Sequence, residues 1–458
     1  MIVMKFGGTS VGTPEAIRRV AEIIRSRLDK HPIVVVSAVT GITNKLDHLT
    51  KVSVSRSPDV SNGEIEEIRK RHSHIIDELG LADDRALKEK FVYAIDSLTE
   101  LSDKLHQVNE RLKYLVDEIL SFGEFLSAHI LVAYLNSIGI TSRFVDARKI
   151  MVTDSHFTCA KPQIAESTVF AKERLLPYVQ DYVQVMQGFI GRDSFGRTTT
   201  LGRGGSDYSA TLIGAMLDVE SVEIWSDVDG ILTADPSVVP QARRIKQMTF
   251  QEAAELAYFG AKVLHPATLL PAVGKNIPVT VLNSMNPAAS GTKIVASPPI
   301  RIDGGVVKSI AYKEGISVIT VTSTRMLMAY GFMASIFEIF AKYQTPVDLV
   351  ATSEVSVSMT VDNMENLVYI EQELKKIAQV EIEHNKAIVC LVGAKMKKTP
   401  GIPAKLFSII PDVTIHLISQ GASEINISFV IDESELDKVI QKMHQELFEI
   451  ELDPNVFA

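Results

Sequence analysis

Short, unbroken apolar runs alternate with amphipathic stretches at the start of this chain. MIVMKF (1–6) and HPIVVVSAV (31–39) show no polar alternation, which predicts strands buried on both faces of a sheet. Between them Pro14-Glu15 opens AIRRVAEIIRSRL, with apolar residues at helical spacing and proline in the first turn. Strand, helix and strand in quick succession predict a parallel α/β sheet. Residues 60–137 change rhythm: charged, nearly free of glycine and proline, apolar at heptad-like spacing. They predict helices, packed as a lobe or flanking the sheet. Strands are expected again at TSRFVDA (141–147), VQVMQGFIG (183–191), VEIWSDVDG (222–230) and IPVTVLN (277–283).

The segment MNPAASGTKIVASPPIRIDGG (285–305) is rich in proline, glycine and serine, and a domain boundary is expected within or just after it. Beyond it an internal repeat emerges. ATSEVSVSMTV (351–361) and GASEINISFVI (421–431) share Ser-Glu followed by alternating apolar and small polar residues, the pattern of a half-buried strand. Each is preceded by a helical pattern, MASIFEIFAKY or PAKLFSII, and then a short strand, VDLVA or IHLIS. The C-terminal third therefore reads as two copies of a small α+β module.

Composition narrows the class. At 458 residues the chain is too long for one ordinary core. A hydrophobic fraction of 46% is that of a globular protein. The 47 basic and 56 acidic residues leave a formal charge of -9, and nothing in that balance favours nucleic acid. No apolar run is long enough to span a bilayer, and no long apolar segment follows Lys5 before the glycines of GGTS, which argues against a signal peptide. Cys159 and Cys390 match no metal spacing and are expected to be buried thiols in a reducing, cytoplasmic setting.

Three stretches carry candidate chemistry. KFGGTS (5–10) sets Lys5 at a strand end before Gly7, Gly8, Thr9 and Ser10, either a phosphate cradle or a plain strand–helix turn. GRTTTLGRGGSDYSA offers Arg203 for a carboxylate or phosphate, glycines for close backbone approach, and Ser206 and Asp207 beside them. So many special residues before one helix favour a ligand site. WSDVDGILTADP follows a strand with three acids, suited to a metal, to nucleotide hydroxyls or to a solvated turn. Glu124 and Ser127 read as a pair on one face of a helix start, Lys262 as a surface lysine, and Trp225 as packing. GxxxxGK[ST], HRD and DFG are absent, as is GxGxxG around 201–210, so P-loop, protein-kinase and Rossmann sites are disfavoured.

In order and spacing, KFGGTSVG, SAVTGITN, GE-x-LS, QGFIG, GRTTTLGRGGSDYSA, WSDVDGILTADP and FGAKVLHPAT resemble aspartate kinase, over essentially the whole chain. The tandem modules resemble that family's paired ACT regulatory domains. The likeness is to the monofunctional, lysine-sensitive type, with no fused homoserine dehydrogenase expected after the second module. It implies an amino-acid-kinase fold, a mainly parallel sheet flanked by helices, at 1–297. Two α+β ACT domains would follow at 298–385 and 386–458, with the 298–315 segment able to pair with the second. It further implies transfer of the γ-phosphoryl of MgATP to the β-carboxylate of L-aspartate, with Mg2+ carried by ATP and no protein metal site.

By the same resemblance Lys5 would stabilise the phosphoryl group and Asp207 would orient it. Arg203 would clamp a substrate carboxylate, Glu124 would take the α-ammonium, and Thr43 and Ser206 would add hydrogen bonds. Nucleotide contacts would fall to Lys5, Gly7, Gly8, Thr9, Ser10, Ser226, Asp227, Leu232, Lys262 and Val263. Ser226 stands where threonine is usual, Leu232 replaces a common aromatic, and Ser237 stands where arginine is typical. An L-lysine effector would bind Met326, Phe332, Met333, Val347, Asp348, Ser353 and Glu354, with Ala329 where a serine is expected, at the interface of a homodimer or dimer of dimers. Threonine or no effector are the alternatives there. Two other functions compete: a relative acting on glutamate, carbamate or a nucleotide, and a silent amino-acid sensor. Glu124 with Arg203 argues against the first, and the presence of Lys5, Arg203 and Asp207 against the second.

Overall fold

The computed structural model describes residues 1–55, 58–259, 266–297, 306–326, 330–449 and 456–457. Its chain divides into two units: Met1–Ile231 with Lys246–Phe250 and Val263–Pro298, and Leu232–Ile245 with Gln251–Lys262 and Pro299–Ala458.

The first unit opens with β1 (Ile2–Phe6), α1 (Pro14–Arg25), β2 (Pro32–Val36) and α2 (Ile42–Ser55). Thr13 caps α1 by accepting from the Ala16 amide, and Pro14 presets its first turn. Three long helices follow, α3 (Pro58–Glu78), α4 (Arg85–Val108) and α5 (Lys113–Ser137). Then come β3 (Ser142–Val145), α6 (Ile164–Leu175), β4 (Val183–Gln187), β5 (Ile190–Arg192), β6 (Thr198–Thr200), α7 (Gly205–Leu217) and β7 (Ser221–Ser226). β8 (Gln247–Thr249), α8 (Phe250–Tyr258), α9 (Pro266–Lys275), β9 (Val279–Asn283) and β10 (Thr292–Val295) complete the series, with α8 running on into the second unit.

Eight of these strands form one sheet in the order β3-β4-β2-β1-β7-β9-β10-β8, parallel except between β9 and β10. Its middle strands are buried along their whole length, as runs without polar alternation require. The Pro/Gly/Ser-rich stretch also lends a strand to this sheet: Thr292–Val295 pairs as β10, because Thr292 and Ile294 alternate inward. Trp225 is buried and stacks on Phe6 at 6.1 Å, a packing residue as expected.

The second unit carries β11 (Val306–Thr322), α10 (Phe332–Lys342), β12 (Val350–Thr352), β13 (Ser356–Val361) and α11 (Leu367–Leu374). β14 (Gln379–Ala394), α12 (Ile402–Ile409), β15 (Leu417–Gln420), β16 (Asn426–Asp432) and α13 (Leu436–Phe448) repeat that order. The two copies share one sheet, β12-β13-β11-β14-β16-β15. β11 changes partner set at Gly315, whose φ of +67° permits the register break between Lys313 and Ile316. One thiol departs from expectation: Cys159 is exposed, whereas Cys390 is buried as expected and its pKa is pushed up to about 12 by that burial. No helix of the described residues is long and apolar enough to cross a membrane.

Candidate active site

Strand β1 ends by pointing Lys5 into a cavity of about 870 Å³, and α7 begins across from it. Lys5 Nζ stands 2.6 Å from Asp207 Oδ1, both side chains nearly buried. The turn before α7 needs Gly202 and Gly204, at φ +77° and +72°, where a side chain would strain the backbone. It delivers Arg203 and Ser206 to the same cavity, and α2 delivers Thr43 from its first turn.

The opposite wall is α5. Gly123 lets this helix touch the turn after β2, since a Cβ there would sit 2.7 Å from the Ala38 Cβ. That contact allows Ser127 Oγ to donate to the Ser37 carbonyl at 2.7 Å, and it sets Glu124 in the cavity lining. Glu124 and Ser127 therefore sit in the middle of a helix, not at its start. Glu124 is 3% exposed, and desolvation pushes its carboxyl up to about 8 against the Ala38 amide and the Lys5 charge. Among the described residues its Oε2 has no hydrogen-bond partner. A buried acid with an empty acceptor beside an arginine and a lysine suits a ligand carrying both an ammonium and carboxylates.

Residues that the sequence reading did not single out line this cavity or stand behind its wall. Asp117 lies seven residues before Glu124 on the same helix and is fully buried. Its Oδ2 accepts from the Thr158 and Thr200 amides at 2.9 Å each, and its Oδ1 from the Thr200 hydroxyl at 2.8 Å. Burial raises its pKa against those bonds. Thr158 and Phe189 line the cavity at φ +73° and +69°, conformations costing about 1–3 kcal/mol each for residues with a Cβ. Arg111 also lines it, bonded to Asp47 and to the Thr50 hydroxyl. One signal for Asp117 was available: it lies a heptad before Glu124, on the same face of α5.

The expected nucleotide residues fare differently. The Gly7 amide donates to the Trp225 carbonyl at 3.0 Å and so is not free for a phosphate. Ser10 is fully buried with its hydroxyl 2.8 Å from that of Ser284, a structural bond rather than a ligand contact. Gly8 is needed for close approach, since a Cβ would lie 2.8 Å from the Ala38 carbonyl. Thr9, Ser226 and Asp227 do not line the cavity around Lys5. Leu232 belongs to the second unit, bridged to Arg244. Lys262, Val263 and Ala329 fall outside the described residues. Among the described residues no three histidine, cysteine or acidic groups cluster around a possible metal ion.

A separate cavity of about 710 Å³ is lined by Arg143, Arg148 and Tyr178 among others. Its arginines are already engaged, Arg143 over the Tyr178 ring at 3.7 Å and Arg148 with Asp146 at 2.9 Å.

In the second unit Met326, Phe332, Met333 and Val347 pack against the core of the first module. Asp348 is not free: it accepts from Lys313 Nζ at 3.0 and 3.1 Å and from the Tyr258 hydroxyl at 2.7 Å. Lys313 also pairs with Asp362 at 2.6 Å, and although burial opposes its charge the two carboxylates raise its pKa. Burial and Asp348 both raise the Tyr258 phenol. Ser353 caps its own turn, its hydroxyl accepting from the Ser356 amide at 3.1 Å, while Glu354 is exposed.

Residues 1–283 match the model of the amino acid kinase family, and residues 389–447 match an ACT domain. The chain is 37% identical over 460 residues to the lysine-sensitive aspartokinase 3 of Escherichia coli, covering 98% of this chain and 99% of that one. It is 33% identical to the aspartokinase of Saccharomyces cerevisiae, over 97% and 92% of the two chains. The crystal structure of E. coli aspartokinase III with aspartate and ADP superposes with a TM-score of 0.86 at 37% identity, covering 98% of this chain and 100% of that one. The chain belongs to the aspartokinase family. This aspartokinase is an enzyme, a phosphotransferase with a carboxylate acceptor, built on the amino-acid-kinase fold with C-terminal ACT domains. The same E. coli enzyme with lysine and aspartate superposes at 0.82, at 37% identity and over 98% and 99% of the two chains.

Proposed function

We propose that the cavity around Lys5 binds L-aspartate and that its β-carboxylate receives the γ-phosphoryl of MgATP, giving 4-phospho-L-aspartate. The carrying observation is Glu124, a buried acid with an unpartnered oxygen, lining one cavity with Arg203 and Lys5. Arg203 pairs with a substrate carboxylate, and Glu124 gives up its proton and takes the α-ammonium. Thr43 and Ser206 hold the substrate's orientation. A β-carboxylate oxygen attacks the γ-phosphorus, the bond to the leaving ADP breaks, and no general base is required because a carboxylate carries no proton. Lys5 neutralises the developing phosphoryl charge, and Asp207 fixes the ammonium at its place. The Mg2+ ion travels on the phosphates and supplies further charge neutralisation.

The proposal extends to organisation and control. Residues 1–297 form the catalytic domain, with ACT domains at 298–385 and 386–458 in a cytoplasmic homodimer or larger assembly. L-lysine is the proposed effector, bound in the first module by Asp348 with Met326, Phe332, Met333, Val347, Ser353 and Glu354. The E. coli relative bears the words lysine-sensitive in its name, which supports this choice. The test is ATP-dependent turnover of L-aspartate, read as hydroxylamine-trapped acyl phosphate with and without L-lysine. Turnover that lysine suppresses is expected. Turnover indifferent to lysine overturns the effector assignment, and turnover of a different acid overturns the substrate.

A further inference from the structure

We infer that Thr158 is a substrate-contacting residue of the aspartate pocket and that Asp117 is the positioning residue holding it there. The inference rests on the reading of the Lys5 cavity given above. Three observations carry it. Among the described non-glycine residues at positive φ, Thr158 alone is β-branched, the class that disfavours this conformation most. A turn needing only that backbone shape is served by glycine or asparagine. Thr158 nonetheless lines the cavity, and among the described residues its hydroxyl has no hydrogen-bond partner, only its amide being engaged.

Its backbone is held from beneath. The Thr158 amide donates to both oxygens of Asp117, at 3.1 and 2.9 Å, and those oxygens also accept from the amide and hydroxyl of Thr200. One buried carboxylate thus ties the 157–160 loop to the end of β6, from which the Arg203 turn departs. The Ala160 amide donates to the Thr200 carbonyl at 2.8 Å, and a Cβ on Gly202 would lie 3.3 Å from the Thr158 carbonyl, so the two loops run in contact. Thr158 stands beside the arginine turn, placed to donate its hydroxyl to the substrate carboxylate that Arg203 pairs. Asp117 touches no substrate; it acts through Thr158 and Thr200.

The test is steady-state kinetics on the full chain with aspartate and ATP varied in turn. Thr158→Gly keeps the backbone shape and deletes the hydroxyl. It is expected to raise the aspartate KM about tenfold, the loss of one hydrogen bond to a charged group, with kcat and the ATP KM nearly unchanged. Thr158→Ser keeps the hydroxyl and is expected to restore a near-native KM. Asp117→Asn is expected to raise the aspartate KM, and by a smaller factor when Thr158→Gly is already present, since both act through one group. A native KM in Thr158→Gly, or Thr158→Ser as impaired as Thr158→Gly, overturns the contact. Equal factors for Asp117→Asn in both backgrounds overturn the positioning role, and if that variant does not fold the Thr158 pair still decides the contact. Arg203→Ala separates the two levels. If it leaves the aspartate KM intact, the reading of the pocket fails; if it raises KM while Thr158→Gly does not, only this inference fails.

Discussion

Two buried acids, one in each unit, answer the same problem in opposite ways. Glu124 keeps an oxygen without a partner and is held largely neutral by desolvation. Asp348, with its side chain 2% exposed, is satisfied within its own unit by Lys313 and Tyr258. The first arrangement leaves an interaction for the substrate to complete, so binding restores what folding left unmet. The second already holds an ammonium where the proposed effector would bring one. Lysine must then displace Lys313, and its affinity is reduced by the stability of the internal pair.

The comparison breaks most readily at the catalytic end. Lys5→Met should lower kcat about a thousandfold with little change in the aspartate KM, because its charge matters most in the transition state. An unchanged kcat would move the phosphoryl group elsewhere. Arg203→Ala should raise the aspartate KM about a hundredfold and leave the ATP KM near native. A matching rise for ATP would assign the turn to the nucleotide.

The next test sharpens the contrast in protonation. Free Glu124 keeps its proton up to about pH 8, whereas an unfolded glutamate loses it near 4.5. Between those values the native state binds more protons than the unfolded one, so this group's contribution to stability falls as pH rises from about 4.5 to 8. The substrate ammonium requires the carboxylate, so the aspartate KM should fall by up to about tenfold per pH unit over the same approach to pH 8. Glu124→Gln should flatten both profiles, measured by thermal melts and by kinetics. A slope that survives in Glu124→Gln belongs to another group.

The smallest expected effect is at the regulatory cluster. Lys313→Met should tighten inhibition by L-lysine a few-fold to about tenfold, at some loss of thermal stability, since it removes the internal competitor while leaving Asp348 in place. Weaker or unchanged inhibition would make Lys313 a structural residue alone.

Much of this was readable in the chain. Continuous apolar runs gave the parallel strands because burial on both faces leaves no polar alternation to hide. The repeated Ser-Glu strands gave two modules because each places its inward residues at the same period. Lys5, Arg203, Ser206 and Asp207 stood out as charged or hydroxyl residues beside glycines, Thr43 and Glu124 were added by the family resemblance, and all six line one cavity. The Gly7 amide and the Ser10 hydroxyl misled, because a glycine-rich turn shows its donors in sequence but not where they are spent.

The order of residues by itself determined which segments are strands and helices, that the C-terminal third repeats, and which side chains could meet small anions. Local spacing and hydrophobic period carry that information. Only the tertiary structure decided that one Asp117 carboxylate ties Thr158 to Thr200, that Glu124 is left without a partner, and that Asp348 holds the chain's own lysine. Each depends on groups distant in sequence arriving within hydrogen-bond reach, and on water being excluded once they do.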